Sequence, residues 1–252
     1  MPRLLECRRR RIGCLRILAV LQKKLRNAPG GAQAYASSNR AIQVLPLRPA
    51  VQNVNFSLEP GQILGYLGQY GSGKSTTVKT LTDLLQPTHG RVTYDGEDVH
   101  KNLVSYRKHL SYVPEEANLY PFLSGQEYLE MVGTLRAMPE ARSARRIRAL
   151  LDLLSLGSHR HPSLGSYSKG MRQRILLITA LMDNADVLIL DEPLSGLDVT
   201  SALVFKNLVQ GLSARGKAIF YCSHVLEVVE KVCTDSCPSP KFCNGLNVLH
   251  VT

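Results

Sequence analysis

The chain has 252 residues, 44% hydrophobic and 20% charged, with a formal charge of +11 and six Cys. These values describe one compact domain, or a domain with a subdomain; they exclude pervasive disorder, a collagen-like repeat and a small disulfide scaffold. No apolar stretch of about 20 residues lacks a charge, which excludes a bundle of spanning helices.

The charge is unevenly placed. Residues 1–48 hold eleven Lys/Arg against a single acid, Glu6, and so carry +10 of the total. The rest of the chain is nearly neutral, and composition gives no support to a nucleic-acid-binding body. Residues 1–40 read as a basic, poorly ordered extension. Two other readings stay open. Ile12–Leu21, interrupted by Arg16, would serve as an amphipathic helix on anionic lipid or a partner. Followed by Ala32-x-Ala34 or Ala34-x-Ala36, it also has the outline of an export signal.

From about Ala41 to Val232, short apolar runs alternate with amphipathic helices, the pattern of an α/β domain with a parallel sheet and crossover helices. Strands are expected at Ile63–Leu67, Gly90–Gly96, Leu110–Val113, Val187–Leu190 and Ala218–Cys222. Helices are expected at Ser75–Leu85, stopped by Pro87, and at Ser201–Leu212. Between about residues 118 and 175 strand signals vanish. Ile147, Leu150, Leu151 and Leu154 mark one face of a helix there, so this stretch reads as a helical insertion. Residues 233–252 read as an atypical tail. The run Thr234–Lys241 is loop-like, and a sheet edge without its neighbour is the expected consequence.

Gly68-Gln69-Tyr70-Gly71-Ser72-Gly73-Lys74-Ser75 fits G-x-x-x-x-G-K-[ST] between a strand and a helix. The glycines let successive N–H groups turn inward as an anion nest. The following helix, with Thr76 in its first turn, adds free amides and a positive dipole end. Lys74 is expected to reach the β- and γ-phosphates of a nucleotide, and Ser75 to ligate Mg²⁺. A second element points the same way: the apolar run Val187–Leu190 ends in Asp191-Glu192. Asp191 suits a hard cation, and Glu192 would polarise an attacking water.

Tyr167-Ser168-Lys169-Gly170-Met171-Arg172-Gln173-Arg174 then resembles the signature motif of the ATP-binding cassette (ABC) ATPases, between the phosphate loop and the acidic strand as in that family. Asp191-Glu192-Pro193 followed by Ser195-Gly196-Leu197-Asp198 is similar to its Walker B and D-loop run, and Ser223-His224 to its H-loop. The resemblance spans about Ala41 to Val232. It implies a P-loop NTPase core with a parallel sheet, an antiparallel β subdomain and a helical insertion carrying the signature. It also implies ATP hydrolysis by a head-to-tail dimer of two cassettes, in which Ser168 and Gly170 contact the γ-phosphate held by the second copy. Under the same resemblance His224 senses the γ-phosphate, and Asp198 couples the two sites. A separate transmembrane permease is the implied partner, with the cassette peripheral on the inner face of the membrane. No nucleic-acid partner is expected.

Tyr112-Val113-Pro114-Glu115-Glu116 places Glu115 where the family usually has Gln, still able to offer an oxygen toward Mg²⁺. This form, with Leu119-Tyr120-Pro121-x-Leu123, is similar to bacterial exporters. Two departures favour an alternative, a weak or silent ATP-binding regulatory protein. No aromatic for adenine stacking lies between Ile42 and Ala50, Tyr35 being far upstream, and the tail is altered. Gln69 and Tyr70 replace the usual Pro-Asn, and Tyr70 adds bulk beside the nest. The spacings of His159, His161, Cys233, Cys237, Cys243 and His250 fit no usual zinc pattern.

Overall fold

The computed structural model describes residues 15–20, 51, 54–234 and 248–251. An antiparallel sheet begins with β1 (Leu15–Val20) and β2 (Val54–Leu58). It is completed by β4 (His89–Tyr94) and β5 (Glu97–Asp98), in the order β2-β1-β4-β5. β3 (Ile63–Gly68) belongs to the second sheet and leads through the phosphate loop into α1 (Lys74–Leu81). α2 (Leu103–Lys108) precedes β6 (Leu110–Val113). Three helices follow: α3 (Gly125–Leu135), α4 (Glu140–Leu153) and α5 (Lys169–Met182). The chain then forms β7 (Val187–Asp191), α6 (Val199–Ala214), β8 (Ala218–Ser223), α7 (Leu226–Thr234) and β9 (Val248–Val251).

The second sheet runs β6-β7-β8-β3-β9, every neighbouring pair parallel. β7 and β8 are buried at every position. This is why their sequences are continuous apolar runs: a parallel strand covered on both faces has no solvent side to make polar. One face packs against α3, α4, α5 and α6 through Leu129, Ile147, Leu151, Ile178 and Phe205. The other packs through Tyr66, Val78, Leu81 and Phe220 toward α1, α2 and the antiparallel sheet.

The structure revises three expectations. Leu15–Val20, expected in a poorly ordered extension or an amphipathic helix, is the strand between β2 and β4, with Ile17 opposite both Phe56 and Val92. The other residues of 1–40 lie outside the described residues. The expected bare sheet edge is paired, since β9 runs parallel to β3 with Gly65 opposite Val248. α1 ends at Leu81 instead of Leu85, in a Schellman turn. Asp83 takes φ +57°, and the amides of Asp83 and Leu84 donate to Thr80 O and Lys79 O at 3.2 and 2.8 Å. His100 and Arg107 hold the Asp83 carboxylate at 2.9 and 3.0 Å.

The helical stretch agrees with its periodicity: Ile147, Leu151 and Leu154 are buried, and Leu150 packs against them in part. α3 starts at a capping box, in which Ser124 Oγ accepts from Glu127 N and Glu127 accepts from Ser124 N.

Candidate functional site

Parallel strands deliver their C-terminal ends to one edge of the sheet, the place where open α/β sheets bind ligands. Here β3 delivers the phosphate loop, β7 delivers Asp191 and Glu192, β8 delivers Ser223 and His224, and β6 leads toward Glu115. Adjacent register sets Asp191 opposite Cys222 and Leu67 opposite Ser223. The candidate residues are thereby assembled from four separated stretches of chain.

Gly71 and Gly73 take φ +86° and +90°, which turns the backbone around a concave anion nest. Gly73 caps α1 without a side-chain hydrogen bond, so the first amides of the helix are left for a ligand. Lys74 is buried, and its Nζ donates to Gly68 O at 2.6 Å and Gln69 O at 3.0 Å. Its charge is held inside the loop by carbonyls, which a phosphate would replace. Ser72 Oγ is buried without a hydrogen-bond partner. An orphaned hydroxyl in a cradle of amides fits a polar ligand. Gln69, Tyr70 and Ser75 are exposed, and Thr76 is half-buried with its carbonyl accepting from Thr80 Oγ1.

At the end of β7, Asp191 and Glu192 are both buried. Burial pushes the Asp191 carboxyl up to about 6; the charges of Glu115 and Glu192 add to the rise, while the Cys222 thiol and Lys74 oppose it. A carboxylate desolvated in this way beside other acids favours a cation. Glu192 sits at φ +46°, an uncommon backbone for a non-glycine residue. Its side chain is fixed at both oxygens: Ser223 Oγ donates to Oε2 at 3.0 Å, and His224 Nδ1 lies 2.7 Å from Oε1. The Glu192 amide donates to Cys222 O at 3.0 Å. Glu115 is exposed and acts on Asp191 through its charge.

Ser168 caps α5, its Oγ accepting from Met171 N. Gly170 lies against the turn after β7 so closely that a Cβ would stand 2.5 Å from Gly196 O. Gln173 Nε2 donates to Pro193 O at 3.2 Å, and Arg174 lies 3.6 Å from Asp198. Asp198 caps α6 by accepting from Ser201. Among the described residues, no hydrogen bond or ion pair joins Ser168, Gly170 or Asp198 to residues 68–76. The expected sites therefore form two groups, one around the phosphate loop and one around the α5 N-terminus.

The ABC transporter family pattern matches residues 51–195. The chain belongs to the ABC transporter ATP-binding family. It is 32% identical over 185 residues to the ABC transporter ATP-binding protein NatA of Bacillus subtilis (strain 168), covering 73% of this chain and 75% of that one. It is 33% identical over 187 residues to the Nod factor export ATP-binding protein I of Cupriavidus metallidurans, covering 74% and 62%. Among the first relatives matched, it spans between 52% and 75% of their length. A dimeric ATP-binding cassette in a post-hydrolysis state with ADP and Pi superposes with a TM-score of 0.71 at 22% identity, over 86% of this chain and 90% of that one. This likeness bears out the P-loop NTPase fold. The chain is thus an ATP-binding cassette of the ABC ATPase class.

Seen as a cassette, the site contains residues that motif reading passed over. Ser223, the neighbour of His224 in the sequence, donates to Glu192. Cys222 lies beside Asp191 as a buried free thiol, its own pKa pushed up by burial. Its place opposite Asp191 comes from strand register and leaves no local motif. Arg174, inside the signature run, pairs with Asp198 and donates to Leu154 O at 3.2 Å. Tyr35 and the Ile42–Ala50 stretch lie outside the described residues, as do Cys237, Cys243 and most of the tail. Among the described residues, no group of three or more His, Cys, Asp or Glu would hold a metal. Oxygen donors at Ser75 and Asp191 nevertheless suit Mg²⁺, whose remaining ligands are commonly phosphates and water.

Proposed function

We propose that this cassette hydrolyses Mg·ATP as one half of a closed dimer and drives a separate membrane permease as an exporter, from the cytoplasmic face of the membrane. The observation that carries the hydrolytic reading is the fixed carboxylate of Glu192, held by Ser223 and His224 at the C-terminal edge of the sheet beside the phosphate loop. Such a group is oriented before substrate arrives, as general-base catalysis needs.

In this reading Lys74 leaves the Gly68 and Gln69 carbonyls for the β- and γ-phosphates, while the α1 amides and the loop N–H groups hold the remaining oxygens. Ser75, Asp191 and Glu115 would hold Mg²⁺, which when bound neutralises charge building on the phosphate oxygens. Glu192 takes a proton from the attacking water, and His224 orients that water and the γ-phosphate. Ser168 and Gly170 of a second copy complete the site, the free amides at the α5 N-terminus facing the anion. This explains why the two groups of residues are separated within one chain. Asp198, tied to α5 through Arg174, would report closure from one site to the other.

The exporter direction rests on the Pro114-Glu115-Glu116 form and on likeness to a protein named for Nod factor export. A groove of about 860 Å³ bounded by α1, α2, β6 and α3 supports a docked partner. Its rim includes Leu84, Val104 and Leu135, exposed by 64, 71 and 77%, apolar side chains that a docked partner would cover. No helix among the described residues is long and apolar enough to cross a membrane. We assign the groove to the permease.

The test is ATPase activity before and after Glu192→Gln. The substitution should abolish turnover, retain ATP binding and favour the closed dimer. Unchanged turnover would defeat the role of Glu192. Nucleotide binding without hydrolysis by the wild-type chain, alone and with its permease, would favour the silent regulatory alternative.

A further inference from the structure

Tyr70 occupies the middle of the phosphate loop with 76% of its surface exposed. An aromatic ring so placed contributes little to a core, yet it meets two chemical groups of the site. Its centroid lies 5.0 Å from that of the His224 ring, with the planes at 37°, inside the range of attractive aromatic pairs. Lys74 Nζ lies 5.5 Å from the same centroid, within reach of a cation–π contact.

The two contacts differ in weight. Lys74 already donates to carbonyls at 2.6 and 3.0 Å, and such charge-assisted bonds outweigh an exposed cation–π contact. The histidine is less constrained. Its ring is held at one edge, where Nδ1 meets Glu192 at 2.7 Å, and a terminal ring torsion is broad enough to swing about one edge contact. Tyr70 supplies the second constraint, through the tilted contact between the two rings.

We propose that Tyr70 is a positioning residue for His224, packing its ring against the imidazole so that Nδ1 stays on Glu192 and the ring is oriented before ATP binds. This rests on the hydrolytic reading of His224 given above. Loss of the ring contact lowers the share of molecules with the ring in register, so it acts on turnover and leaves nucleotide affinity nearly unchanged.

The test compares Tyr70→Ala and Tyr70→Phe in the full chain by steady-state ATPase kinetics and by NMR of the His224 ring protons, assigned with His224→Ala. In the nucleotide-free protein, Tyr70→Ala should shift the His224 ring signals as the ring current is lost, and Tyr70→Phe should retain their wild-type positions. In Tyr70→Ala, kcat should fall about 3- to 10-fold, the range set by one aromatic pair, with KM changed by less than about twofold. Tyr70→Phe should recover most of kcat, and Tyr70→Ala should add no further loss to His224→Ala. Full turnover by His224→Ala would defeat the hydrolytic reading beneath the proposal. Immobile His224 signals in Tyr70→Ala, or a loss carried wholly by KM, would overturn the proposal with that reading intact.

Discussion

Gly170 and the carbonyl of Gly196 are in direct contact, with no room between them for a methyl group: a Cβ on Gly170 would lie 2.5 Å from that oxygen. The signature turn is therefore set on the loop that follows the acidic strand, and a buried hydrogen bond from Gln173 to Pro193 O strengthens the join. Movement at either segment is passed to the other through backbone contact.

Gly170→Ala should accordingly push the 196–198 turn away from α5. Overpacking against backbone costs about 1–3 kcal/mol, so the midpoint of chemical denaturation should fall with an unchanged m-value. Turnover should fall further than stability alone accounts for, because Ser168 and the α5 amides are displaced together. A wild-type denaturation midpoint in Gly170→Ala would show that the turn yields freely.

Burial pushes the Asp191 carboxyl up to about 6 in the folded protein, against 3.8 for the free group. A raised folded pKa favours folding below the unfolded value, and that contribution is lost as pH rises from about 4 through 6. By pH 8 ionisation has removed about 3 kcal/mol of stability relative to acid pH, the order of magnitude set by a shift of two units. Asp191→Asn should therefore raise the melting temperature of the nucleotide-free protein at pH 8 and give little gain at pH 4.5. The same substitution should weaken Mg·ATP binding. In the wild-type protein, Mg²⁺-dependent affinity should decline as pH drops below about 6, because the proton and the cation compete for one carboxylate; calorimetry in buffers of different ionisation enthalpy would detect the released proton.

Ser124→Ala removes the cap of α3. Removal of such a cap costs about 1 kcal/mol, or roughly 2–4 °C in melting temperature for a domain of this size. Glu127 is held below its ordinary pKa by the Ser124 backbone N–H and then by the Ser124 hydroxyl. A lowered folded pKa contributes stability above the unfolded value of 4.5, which is lost as pH falls through the folded one. The gap between wild type and Ser124→Ala should narrow in acid. A gap that widens below pH 4 would contradict the capping box as the cause.

Val104→Glu and Leu135→Glu place charges on the exposed rim of the groove between α1, α2, β6 and α3. Both side chains face solvent, so stability should change by no more than about 0.5 kcal/mol. Association with the permease, measured by co-purification from membranes, should be lost in both variants while ATP binding persists. Retained association in both would remove the groove as the docking site.

The amino-acid order determined the chemistry. The spacing of Gly68–Ser75 between a strand and a helix is legible as a candidate phosphate loop from local backbone rules, and a run such as Val187–Leu190 ending in two acids declares a buried strand with a polar tip. Helical periodicity likewise marked Ile147, Leu151 and Leu154 as a core face. Contacts between distant segments were decided only by tertiary structure. Leu15–Val20 became a strand because β2 and β4 flank it, and Val248–Val251 covers the sheet edge because β3 offers free backbone groups there. Ser223 on Glu192, Arg174 beside Asp198 and Tyr70 against His224 arise from strand register and close approach across 31, 24 and 154 positions of chain. Motifs record the conformations that neighbours along the chain impose on one another; side chains brought together by the closing of a sheet leave no such local trace.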